Sequence, residues 1–188
     1  MLTAQHCVKT EAGEWMNLSS VTWEYFGLGD SISPMEISVP VAQVFTSDDS
    51  YQNTRAADWA FIRLSNPISD GMGYLGMVSP ERLSGLSAEH VTVAGYAADL
   101  DTGALITMDW GCKIASLGSG VLQHHCKTWH GDSGSPIIVS DGPLKGGIVA
   151  VHAYGTYNGE KSLGLGGGPT TAQFYATWKK LRAEEEGK

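Results

Sequence analysis

Trp129-His130-Gly131-Asp132-Ser133-Gly134-Ser135-Pro136 stands directly before the apolar run Ile137-Ile138-Val139. That run reads as a buried strand, so Ser133 falls in a tight turn at its mouth. Gly131 and Gly134 let the backbone bend sharply and let a substrate approach with no Cβ in the way. In such a turn the amides of Gly131 and Ser133 can point at one spot and stabilise an oxyanion. A serine hydroxyl is a poor nucleophile until a base takes its proton. Without a base, Gly-Asp-Ser-Gly is a glycine-rich turn between strands and nothing more.

The chain offers the missing partners. Thr3-Ala4-Gln5-His6-Cys7-Val8 supplies a histidine, and Asp58 opens the alternating run Asp58-Trp59-Ala60-Phe61-Ile62-Arg63-Leu64. An acidic residue at the mouth of a strand can be buried and still hold an imidazole in one tautomer. Taken singly, His6 is an ordinary histidine near a chain end and Asp58 an ordinary turn residue. Taken together with Ser133, the order His, Asp, Ser is one of the few in which such a triad occurs.

These three motifs resemble those of the chymotrypsin-like (trypsin-like) serine proteases. Ser135, in place of a second glycine, resembles bacterial members of the glutamyl endopeptidase type. The resemblance runs from about Leu2 to about Gly155. It implies an all-β chain of two antiparallel six-stranded β-barrels closed by a C-terminal α-helix, with the first barrel incomplete, because Met1 stands only five residues before His6. It implies a general base (His6), an orienting aspartate (Asp58), a nucleophile (Ser133) and an oxyanion hole from the Gly131 and Ser133 amides. It calls for a protein or peptide substrate and for no metal or cofactor, and is expected of a monomer. In the family the aspartate matching Asp132 often pairs with a freed N-terminal amine; this chain has no such N-terminus. No signal peptide is visible, yet the resemblance implies a secreted or periplasmic protein.

Specificity follows from the same likeness. Lys127 and Thr128, five or six residues before Ser133, match the floor of the first specificity pocket. His152, Ala153, Tyr154 and Gly155 match its wall. Acid-specific relatives carry a threonine and a histidine where this chain has Thr128 and His152. The expectation is therefore Glu, or less readily Asp, before the cut, with Lys127 as a further cation; the alternative is a core histidine at His152 and a solvated Lys127. Cys112 and Cys126 flank a segment holding Gly118 and Gly120 that can turn back on itself, and related proteases carry a cysteine at the position of Cys126. A disulfide is expected there, against two buried thiols, leaving Cys7 without a partner.

Composition bounds the alternatives. A chain of 188 residues, 42% hydrophobic, suits one compact unit, and its 24 glycines suit many turns. No stretch approaches the ~20 apolar residues of a membrane-spanning helix, and a net charge of −8 opposes non-specific nucleic-acid binding. His124, His125, Cys126, His130 and His152 form a loose metal-ligand group. However, adjacent strand residues face opposite ways and no zinc-type spacing appears. An esterase running the same triad stays open, although the Gly-x-Ser-x-Gly elbow of α/β-hydrolases is not met. A homologue that binds without cleaving is the other reading.

Along the chain, strands are expected at 21–26, 91–96, 106–114, 121–126 and 148–151. Two short ones broken by Pro40 are expected within 35–45. Gly27–Pro34 reads as a turn region, Ser47–Ser50 as a solvated turn, and Asn66–Gly76 as the connection between halves 1–75 and 76–188. A helix through Ala172–Leu181, capped by Thr170-Thr171, should bury Phe174, Trp178 and Leu181 on one face. Glu184–Glu186 reads as a solvated tail.

Overall fold

The structure is a computed structural model that describes residues 1–25, 35–67, 73–88, 90–98, 106–157 and 162–187. The expected turn at 27–34 and the centre of the expected connection, 68–72, lie outside them. Eleven strands are described: β1 Leu2–Thr3, β2 Ser20–Tyr25, β3 Met35–Thr46, β4 Ala60–Leu64, β5 His90–Gly95, β6 Thr107–Gly118, β7 Val121–His124, β8 Pro136–Val139, β9 Ile148–Val151, β10 Tyr154–Tyr157 and β11 Ser162–Pro169. One helix follows, α1 Thr171–Glu186. No described helix is long and apolar enough to cross a membrane.

Two antiparallel sheets result, ordered β1-β4-β3-β2 and β10-β11-β7-β6-β5-β8-β9. The larger sheet runs from β10 to β9, and these two strands are joined by only His152 and Ala153. The sheet therefore curls until its ends meet. Counted as one strand bent at His152, β9 and β10 make the expected six-stranded barrel, and alternate side chains fill its inside. Val91, Val93, Leu122, Ile137, Val139 and Val149 are buried there. The smaller sheet is the incomplete first barrel.

The two runs expected around Pro40 are one strand. β3 pairs with β2 from Met35 to Pro40 and with β4 from Val41 to Thr46, with an irregularity between Val41 and Gln43. Pro40 stands at the handover, where a missing N–H costs the ladder least.

The halves meet across an aromatic cluster. Phe174, fully buried, lies 5.9 Å from Trp59 and 5.8 Å from Phe61, ring centre to ring centre. Trp178 and Leu181 pack on the same cluster, as the helical spacing predicts. Two details of this helix differ from expectation. Thr170 occupies the cap position, but its hydroxyl donates to the Gly120 carbonyl instead of capping. Glu184 and Glu185 belong to the helix and not to a free tail: Arg63 Nη2 lies 2.8 Å from Glu184 and its Nε 3.3 Å from Glu185.

Candidate active site

His6 sits in a single 3₁₀ turn, Gln5–Cys7, directly after β1. Gln5, fully buried, fixes that turn: its Nε2 donates to the Asp49 carbonyl (3.1 Å), and its Oε1 accepts the Tyr51 amide (2.9 Å). This ties the histidine turn to the 47–51 loop that leads towards Asp58. Asp58 ends a second 3₁₀ turn, Arg55–Ala57, just before β4. Its carboxylate takes two bonds from one residue. The His6 backbone N–H donates to Oδ1 (3.0 Å), and His6 Nδ1 lies 2.8 Å from Oδ2. With Nδ1–H spent on Asp58, the Nε2 of a neutral His6 is an acceptor. The bond to Asp58, helped by one to Cys7, raises the His6 pKa above the ordinary 6.5.

The 129–135 loop is pinned from several sides. The Ala98 N–H donates to the His130 carbonyl (2.6 Å) and the Gly134 N–H to the His152 carbonyl (2.8 Å). Asp132, buried, accepts the Trp129 N–H at 2.8 Å, so its carboxylate braces the turn from inside. The amides of Asp132, Gly134 and Ser135 are all bonded. Those of Gly131 and Ser133 donate to no acceptor among the described residues. Gly131 and Gly134 hold φ of 101° and 88°, values that favour glycine. A Cβ on Gly131 would strike the Tyr96 carbonyl, and one on Gly134 would strike Thr3 of β1. The loop of Ser133 therefore packs against the segment that carries His6, three residues on from Thr3.

Next to this loop stand residues expected to form the first specificity pocket. Thr128 and His152 are buried, and a Cβ on Gly155 would press on Thr128 Oγ1 and the Tyr157 hydroxyl. Tyr157 also stacks on His130 (5.0 Å between centroids) and meets Trp129 edge-on (5.0 Å). Lys127 is exposed, and its backbone N–H donates to Asp109. Ala153 and Tyr154 line a cleft with His6 and Asp58.

Behind His152 lies a residue that sequence reasoning left unused. His124 is fully buried, with its Nε2 3.2 Å from His152 Nδ1. The Cys126 N–H donates to His124 Nδ1 at 3.1 Å. A neutral His124 must then carry its proton on Nε2 and donate it to His152 Nδ1. That leaves His152 protonated on Nε2, a donor with no acceptor among the described residues. Both rings are held neutral: burial, then the charge of His152, lowers His124 to about 3, and burial, then the charge of His6, lowers His152 to about 4. Gly166 makes room for the pair, since a Cβ there would meet both rings. The alternation of β7 was the available signal, because it buries His124 and exposes His125.

Cys112 and Cys126 form a disulfide, and Cys7 is free. Among the described residues, the groups close enough to share an ion are Asp109, Cys112 and Cys126, two of which are joined in that bond; the histidines of the loose metal-ligand group do not assemble into such a set.

None of the curated proteins compared with the chain matches it. Among solved structures it is similar to a Glu endopeptidase in complex with MPD, at 21% identity and TM-score 0.70 over 97% of this chain and 80% of that one. It is also similar to a thermostable serine protease, AL20, from an extremophilic microorganism, at 17% identity and TM-score 0.61 over 90% and 77%. Identities this low speak for the fold, and the family rests on the Trypsin family model, which matches residues 1–178. With a barrel closing at His152, a histidine bonded twice to an aspartate and a braced Gly-Asp-Ser-Gly loop, the chain belongs to the trypsin family of serine proteases.

Proposed function

We propose that the chain is a serine endopeptidase using His6, Asp58 and Ser133, with a preference for Glu, or less readily Asp, before the cut. One observation carries the reading: His6 is bonded to Asp58 through both its amide and its ring, in a segment packed on the Ser133 loop. His6 Nε2 takes the proton of Ser133 as its Oγ attacks the peptide carbonyl. Asp58 keeps the ring in the accepting tautomer and stabilises its cation. The unspent amides of Gly131 and Ser133 receive the oxyanion, each such donor being worth about 2.7–4 kcal/mol. The protonated His6 then gives its proton to the leaving amine, and water releases the acyl-enzyme by the reverse steps.

The preference for Glu rests on Thr128 and on the Nε2–H of His152. A neutral donor held in place by His124 binds a carboxylate without being a buried charge itself. The substrate backbone has a ready partner in β10, whose second edge pairs with no strand among the described residues. The Cys112–Cys126 bond suits an oxidising compartment, in keeping with a secreted or periplasmic enzyme.

A fluorophosphonate probe tests the triad. Labelling is expected on Ser133 of the wild-type protein and lost in H6A and S133A. Folded wild-type protein that stays unlabelled is a binding homologue instead. Peptides differing only in Glu, Asp or Gln before the cut test the pocket, with Glu expected to lead.

A further inference from the structure

We infer that Arg55 selects an acidic side chain in the substrate residue second before the scissile bond; this rests on the protease reading above. Arg55 opens the 3₁₀ turn that delivers Asp58, and Thr54 caps that turn by accepting the Ala56 N–H. Its guanidinium carbon lies 3.9 Å from the centre of the Tyr154 ring. Both line one open cleft together with His6, Tyr51 and Asp58.

Three facts make this cation informative. The chain has only 12 basic residues against 20 acidic ones. Arg63 is neutralised by Glu184 and Glu185, whereas Arg55 has no carboxylate partner among the described residues. Asp58, the nearest carboxylate in sequence, is buried and committed to His6. A guanidinium stacked on an aromatic face keeps its N–H edges free for a carboxylate, and the stacking limits the rotamer freedom lost on binding.

Geometry names the position. A substrate extended along the open edge of β10 turns successive side chains to opposite faces. The residue before the cut enters the Thr128–His152 pocket. Its predecessor therefore faces the other way, into the cleft of His6, Tyr51 and Arg55. A carboxylate there meets the Arg55 fork. The same cation sits badly with Lys or Arg in that position.

The test compares peptides with Glu before the cut and Asp, Glu, Asn or Gln in the preceding position. For the wild-type protein, kcat/KM is expected to favour the acids over their amides by at most about fivefold, the size of an exposed ion pair, mainly through KM. High salt is expected to shrink the ratio. R55Q should abolish it, R55K should keep part of it, and R55E should reverse it. An unchanged acid-to-amide ratio in R55Q overturns the inference, as does a wild-type ratio of one. If no peptide is turned over, the protease reading fails separately. The same ratio is then read from fluorescence anisotropy of the labelled peptides binding to wild-type and R55Q protein.

Discussion

His6 donates twice to one carboxylate, and this doubling has a kinetic consequence. A single bond from the ring would fix its tautomer. The added bond from the amide fixes the backbone turn as well, so Asp58 positions both the proton and the residue. The D58N variant keeps the size of the side chain and loses the charge. Its amide offers a donor where Nδ1–H needs an acceptor, and the expected fall in kcat is about 10⁴-fold. The pH profile should move with it. Asp58 raises the His6 pKa in the folded protein, and the proposed general base has to be neutral. The acid limb of wild-type kcat/KM is expected above 6.5 and should shift to lower pH in D58N. A limb that stays in place would mean that the titrating group is not His6. At this scale the sequence was legible where chemistry is crowded into short motifs, as in the pairing of His6 with Asp58. It did not foresee the roles of Gln5 and His124, which depend on distant groups: the Asp49 carbonyl for one, the His152 ring for the other.

At the scale of elements, the β6–β7 hairpin shows what alternation can and cannot tell. The strands were foreseen, but their reach was not: β6 extends to Gly118, and the turn is made by Ser119 and Gly120, with φ of 51° and 75°. The disulfide staples this hairpin near its base, across a sequence separation of 14, with both cysteines buried. Closing a loop of this size is worth roughly 3 kcal/mol. The double variant C112A/C126A is therefore expected to lose roughly 3 kcal/mol in urea unfolding. A loss well under 1 kcal/mol would show that β6 and β7 hold their register unaided. The same bond holds Cys126, whose N–H donates to His124, so the variant should also weaken the proposed selection of Glu over Gln before the cut. Elsewhere local signals misled for one reason. Pro40 does interrupt pairing with one neighbour, as expected, but a strand with two successive partners continues through the interruption. Which strand lies beside which is a long-range fact, and so is the ion pairing that turns Glu184 and Glu185 from a tail into the end of a helix.

Over the whole molecule, the reading needs side chains from both sheets to be held together, and the joint is apolar: Trp59 and Phe61 from one side, Val151 and Phe174 from the other. Trp59 follows Asp58 directly, and Val151 precedes His152, so this joint sets both ends of the site at once. The helix that completes it was legible from its spacing; its further packing on Trp59 and Phe61 of the smaller sheet was not. Stability of the assembled whole has a weak point in the buried imidazoles. In the folded protein His124 and His152 titrate at about 3 and about 4; an ordinary histidine titrates at 6.5. Between these values the unfolded chain binds protons that the folded chain refuses, so stability is full above about 6.5 and falls as pH drops towards 4. Each histidine contributes on the order of 1 kcal/mol per pH unit across that window. H124Q removes one titrating ring and retains an amide donor in reach of His152. Urea unfolding from pH 7 to pH 4.5 is expected to lose stability less steeply in H124Q than in the wild-type protein, with a smaller proton uptake on unfolding. Equal slopes would mean that His124 is already charged in the fold, and then it could not donate from a neutral ring to His152. The proposed orientation of the His152 donor would fall with it, which makes an equilibrium unfolding series a test of the proposed recognition of an acidic side chain.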